Sequence, residues 1–171
     1  MKRFVLFFAL AVGLLTSATL QAQVNMSRYI TLTVKKDSAI KLNFKAAAEG
    51  TTVRIVSGSN TQNITVGTSW KGTASYTAGS TTMTIYGDLT GFNCSKNGAN
   101  VTALDPSHNT QLTYLSCWYN NLSNLDVSKN TQLTYLACSY NSLSSLDVSK
   151  NKQLKESVGR SEERRVGKEC R

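Results

Sequence analysis

The chain has 171 residues, with 19 Lys+Arg against 10 Asp+Glu, one His, four Cys and one Pro. Apolar residues make up 40% and charged residues 17%, too apolar for a disordered chain and too polar for a protein with several membrane spans. One His and few carboxylates leave little material for acid–base chemistry, so the composition argues against an enzyme, while abundant Thr, Ser and Asn favour strands and turns.

Lys2 and Arg3 precede an uncharged run over residues 4–15 and a small, polar exit over residues 16–22. That is the layout of a secretory signal peptide, and the run is shorter than the ~20 residues a spanning helix needs. Residues 1–22 are therefore expected to be cleaved, leaving an exported chain, secreted or at the cell surface, with no membrane span.

Residues 23–88 predict a β-rich N-terminal cap. Runs at 29–34, 40–44, 53–56, 63–66 and 81–86 alternate or enrich in β-formers, and turn-forming clusters such as Ser57–Gln62 punctuate them. Ile40, Leu42 and Phe44 point one way and Lys41 and Asn43 the other. The three alanines at 46–48 suit a helical turn. The expected form is a small β-sandwich-like unit that covers the apolar end of the next region of the chain. A carbohydrate-binding module, with Trp70 and Tyr76 as stacking residues, is the alternative.

The strongest signal lies in residues 89–153. Residues 112–132 read LTYLSCWYNNLSNLDVSKNTQ and residues 133–153 read LTYLACSYNSLSSLDVSKNKQ, a 21-residue register without gaps. Residues 89–111, LTGFNCSKNGANVTALDPSHNTQ, show the same pattern with two extra residues. Leu112, Leu115, Cys117, Leu122, Leu125 and Val127 occupy the positions that would point inward. Six such groups at ~2 kcal/mol each supply about 12 kcal/mol. Ordering a turn of this length costs roughly 20–40 kcal/mol in backbone entropy. One turn cannot fold alone, but stacked turns share each apolar layer with their neighbours.

Asn97, Asn120 and Asn141 recur at one site, where an amide can bond the backbone as the strand turns inward. Asp105, Asp126 and Asp147 recur at a turn and suit capping of nearby N–H groups. With no His or second carboxylate beside them, they do not suggest a metal. Cys94, Cys117 and Cys138 also align. In-register parallel strands would hold their Cβ atoms ~4.8 Å apart, beyond the ~3.8 Å a disulfide prefers, which predicts a column of buried thiols. His108 stands where the next units carry Lys129 and Lys150 and has no nucleophile or acid held against it. No catalytic, cofactor-binding or metal-binding residue is expected.

These units resemble the cysteine-ladder leucine-rich repeats of internalin-like bacterial surface proteins. The resemblance covers residues 89–153 closely and residues 29–88 loosely. It implies a mainly β fold in which the small cap is followed by a short leucine-rich-repeat solenoid with a parallel sheet, built from units 89–111, 112–132 and 133–153. It also implies an adhesin-like role in binding a partner protein, with no catalytic residues. Phe92 and Pro106 depart from the pattern, and a fourth unit beginning at Leu154 fails at Glu156 and Ser157. Residues 160–171, RSEERRVGKECR, resemble a translated sequencing adapter, so residues 154–171 are taken as a truncated end and foreign tail, expected to be poorly packed. Residues 135–138 would then form an unpaired edge.

The candidate partner-binding residues lie on the outward strand face and its rim: Tyr114, Ser116, Trp118, Tyr119, Tyr135, Ser139 and Tyr140. Tyr and Trp commonly anchor interfaces, although stacked tyrosines also stabilise neighbouring strands. Docking of a partner protein is the leading expectation, with a structural spacer and a glycan-binding module as rivals. Residues 23–88 carry seven basic and three acidic groups and residues 89–159 carry five and four, so scattered a set that nucleic acid is not an expected partner.

Overall fold

A computed structural model describes residues 23–158, and every regular element in them is a strand. The proposed signal peptide and adapter-like tail lie outside the described residues. Alternation explains the first strands directly. In β1 (Tyr29–Val34) Ile30, Leu32 and Val34 are buried, and in β2 (Ala39–Ala46) Ile40, Leu42, Phe44 and Ala46 are. Period-2 apolar patterning of this kind gives each strand one core face. Ala46 ends β2 as a buried strand residue, so the helical turn expected there does not form.

β3 (Thr51–Ser57) and β4 (Asn60–Val66) make a hairpin whose loop is only Gly58-Ser59, a shorter turn than the sequence suggested. Gly58 has φ +60°, the value a tight primed hairpin turn asks of its first loop residue and the reason a glycine stands there. β5 (Ala74–Thr77), which alternation did not reveal, and β6 (Thr82–Tyr86) complete the cap strands.

The first repeat unit divides its two legs between the two cap sheets. Its strand β7 (Leu89–Asn93) pairs antiparallel with β2, while its return leg β8 (Val101–Asp105) pairs antiparallel with β1. One sheet thus runs β4-β3-β6-β1-β8, all antiparallel. The other, in which β9 to β11 belong to the later units, runs β11-β10-β9-β7-β2-β5 and changes from antiparallel to parallel at β7. Phe92 is fully buried where the two regions meet, with its ring 5.9 Å from that of Phe44. Both sheets therefore continue across residue 88, and one core joins cap and repeats.

β9 (Tyr114–Ser116) and β10 (Tyr135–Ala137) repeat β7 one unit on, parallel and in register: Phe92, Leu115 and Leu136 stand side by side. The six residues expected inside the second unit are all buried. A further strand, β11 (Glu156–Val158), pairs parallel with β10, Tyr135 facing Glu156. The edge expected to be unpaired is covered, and the fourth unit does form a strand where its apolar pattern lapses, because ladder hydrogen bonds use the backbone and need no particular side chain.

Strands this short cannot hold successive units together alone, and two columns of asparagine supply further bonds. Asn97 exchanges two hydrogen bonds with Lys41 of β2, accepting from its N–H (2.8 Å) and donating to its carbonyl (3.0 Å). Asn120 accepts from Asn97 N–H and donates to the carbonyls of Cys94 and Cys117, and Asn141 donates to those of Cys117 and Cys138. The second column, Asn109, Asn130 and Asn151, was visible in the sequence as the Asn that closes each unit's Asp-to-Asn turn, but its role was not read there. Asn109 Nδ2 donates to Gly87 O in the cap, Asn130 to Pro106 and Asn109, and Asn151 to Val127 and Asn130. Each column starts on the cap and steps outward unit by unit. The aspartates cap turns as expected: Asp105, Asp126 and Asp147 each accept from the N–H two residues on.

Candidate functional site: the aromatic strand face

In the parallel sheet Gly91, Tyr114 and Tyr135 are aligned, and the two tyrosine rings stack at 4.2 Å with only 3° between their planes. Gly91 supplies no ring, but Trp70 from the cap takes that place. Its ring meets Tyr114 edge-on at 5.0 Å. A Cβ on Gly91 would come within 2.8 Å of the Trp70 ring and 3.0 Å of Lys45 Cβ, so a glycine is required under the indole. The face is therefore an aromatic row, Trp70–Tyr114–Tyr135, that spans cap and repeats. From the sequence Trp70 has a role only as a stacking residue of the alternative carbohydrate-binding module. The missing side chain at Gly91 was the signal that something else fills the first place.

A second group lies beyond the strand ends. Trp118 holds Lys96 Nζ 4.9 Å from its ring centre, a cation–π contact, and meets Tyr119 edge-on at 6.2 Å. Tyr119 and Tyr140, one unit apart, are 54% and 62% exposed with ring centres 6.5 Å apart. They flank an open groove of about 460 Å³, bounded also by Ala99, Asn121 and Ser142. Lys96, Tyr119 and Tyr140 share a left-handed backbone, with φ of 63°, 55° and 54°. This is the reversal that delivers Asn97, Asn120 and Asn141 to their ladder. For residues with a Cβ that conformation costs about 1–2 kcal/mol, whereas Gly and Asn adopt it more easily.

Of the seven candidate contact residues, the five aromatic ones fall into two groups, Tyr114 with Tyr135 and Trp118 with Tyr119 and Tyr140. Tyr114, Trp118 and Tyr135 are half-buried, and Tyr119 and Tyr140 are exposed. Ser116 and Ser139 are 1% and 5% exposed, so neither offers a hydroxyl to a partner. The Ser116 hydroxyl is instead shared with Ser95 at 2.7 Å, across adjacent units. His108 is exposed on the far side and stacks on Tyr29 at 4.2 Å.

Behind this face, Cys94 and Cys117 are fully buried free thiols. Burial in apolar surroundings pushes Cys117 up to about 12 and Cys94 well above the ordinary thiol range, so both stay protonated and inert. Cys138 continues the column and is likewise buried, 1% exposed.

No family model matches the chain, and no curated protein matches it. Among solved structures the chain is similar to the functional domain of InlJ from Listeria monocytogenes, described as including a cysteine ladder, at 45% sequence identity and a TM-score of 0.39. The match covers 40% of this chain and 15% of that one.

Proposed function

We propose that the chain is an exported, non-enzymatic recognition protein: a β-rich cap followed by a short leucine-rich-repeat solenoid that docks a partner protein on its aromatic strand face, as an adhesin does. One observation carries this reading. Tyr119 and Tyr140 stand exposed at left-handed positions where Asn or Gly would fold with less strain. Strain kept in register on two successive turns, each time presenting a phenol to solvent, favours a contact role over a purely structural one. The half-buried Trp118 ring packs edge-on against Tyr119 and gives the exposed pair an apolar support, and Tyr and Trp are the residues that most often anchor an interface.

The test compares binding of the purified protein to arrays of extracellular proteins and of glycans, with the double variants Trp118→Ser/Tyr119→Ser and Tyr119→Asn/Tyr140→Asn as controls. A docking face predicts a protein signal that falls at least about tenfold in both variants, the size of one lost anchor. The asparagine pair should keep or raise its melting temperature, because Asn accepts the left-handed backbone. Equal binding by wild type and variants would favour a spacer, and signal on the glycan array alone would favour the sugar-binding alternative.

A further inference from the structure

β4 is an outer strand of its sheet, and among the described residues it pairs only with β3. Exposed edges are ordinarily blunted by charge, proline or a bulge. β4 has none of these: its sequence is NTQNITV, and its seven pairs with β3 run without a register shift. The register also fixes which backbone groups are free. The two-residue loop makes Ser57 and Asn60 a hydrogen-bonded pair, and such pairs alternate with non-bonded ones along an antiparallel ladder. Gln62 and Ile64 therefore bond β3, while the N–H and C=O groups of Thr61, Asn63 and Thr65 point away from it.

Those three residues are spaced symmetrically about Asn63. A second β4 laid antiparallel on a two-fold axis through Asn63 places Asn63 opposite Asn63, Thr61 opposite Thr65 and Thr65 opposite Thr61. Every one of these positions has its free backbone groups on the shared edge, so three bonded pairs form with about six hydrogen bonds. The side-chain pairs suit a sheet, since Thr–Thr is a favourable cross-strand neighbour and no like charges meet. The charge nearest to Asn63 on this face is Arg54 of β3, whose Nε donates to Asn63 Oδ1 at 3.1 Å. Across the axis the two Arg54 side chains would be three strand spacings apart, roughly 14 Å and beyond the ~8 Å screening length.

We propose that β4 is a self-association edge, and that two copies of this chain join through it into one continuous antiparallel sheet centred on Asn63. The occupant is a second copy because the free hydrogen-bonding groups match themselves under two-fold symmetry, the isologous arrangement of most homodimers. A dimer carries two aromatic strand faces, so a surface offering many partner molecules would hold it by avidity. The pairing itself does not depend on the docking role.

The experiment uses the full chain, with mass measured by light scattering from about 1 µM to about 1 mM, a range that covers weak to moderate homodimers. Wild type should approach twice the monomer mass as concentration rises. Thr61→Lys/Thr65→Lys sets lysine against lysine twice and should stay monomeric, with an unchanged circular dichroism spectrum. Thr61→Lys/Thr65→Glu sets lysine against glutamate and should restore the dimer. Asn63→Cys should form a disulfide-linked dimer on oxidation, whereas Thr65→Cys, displaced from the axis, should not. A wild-type chain that stays monomeric over the whole range would overturn the proposal. So would a dimer that survives the double lysine change, or an edge that takes only an extended strand from another protein.

Discussion

The cap and the repeats solve the same problem, a β-layer on an apolar core, with different bonds. Cap strands of up to eight residues carry long antiparallel ladders and bury alternate side chains between two sheets. Repeat strands of three residues carry too few ladder bonds to fix a unit, and the asparagine columns make up the difference. The contrast teaches where each region is vulnerable: the cap in its apolar side chains, the repeats in their amides. It also predicts how the two fail. A lesion at the core they share should bring both down, whereas a lost amide should loosen the repeats first.

The largest expected effect therefore falls on the joint. Phe92 is fully buried between the β2 leg of the cap and the Leu115 layer. Phe92→Ala should cost about 3–5 kcal/mol, the usual range for a buried aromatic truncated to alanine. If cap and repeats share one core, urea unfolding of the variant followed by Trp fluorescence and by far-ultraviolet circular dichroism should shift together. Separated transitions would show that the two regions are independent.

A smaller effect distinguishes the two amide columns. Asn120→Ala removes the acceptor of the buried Asn97 N–H and one of two donors to each of the Cys94 and Cys117 carbonyls, which keep their bonds from Asn97 and Asn141, for about 2 kcal/mol. Asn130→Ala removes two donated bonds but also an Oδ1 atom that is buried without a partner. Its cost should be about half as large, because the side chain that leaves was itself not fully satisfied. Equal losses in thermal unfolding would mean that the Oδ1 atoms are better solvated than their burial indicates.

These differences also explain what the sequence did and did not reveal. The repeats were legible because six apolar positions and an Asn recur at one spacing, and the structure buries those six in the second unit. The first amide column was legible for the same reason. The return leg β8 was not, since Val101–Asp105 reads as a turn of the repeat and becomes a strand only because β1 offers it a free edge. Nor was β5, four residues held by pairing with β2 where local pattern gives no alternation. On the candidate face the aromatic residues could be placed by register, but the covering of Ser116 and the arrival of Trp70 are tertiary facts. Ser116 sits in an outward position that neighbouring side chains close over.

The smallest effect is on the aspartate turns, where the repeats again rely on a side chain in place of a ladder. The Ser128 N–H, with the Ser128 hydroxyl, holds the Asp126 carboxyl below the ordinary value of 3.8, and the Ser149 N–H and hydroxyl do the same for Asp147. With the native carboxyls titrating lower than the unfolded ones, the stabilisation is complete above the unfolded value and is lost as pH falls through the native one. Asn at both positions keeps an oxygen for the Ser N–H but cannot titrate. Melting temperatures measured from about pH 6 down to about pH 2.5 should therefore fall more steeply for wild type than for Asp126→Asn/Asp147→Asn, with the curves separating only below about pH 4. Both side chains are exposed, so the separation should be slight and should shrink further in high salt. Parallel curves would mean that the turns are held by their backbone geometry and not by the carboxylates that cap them.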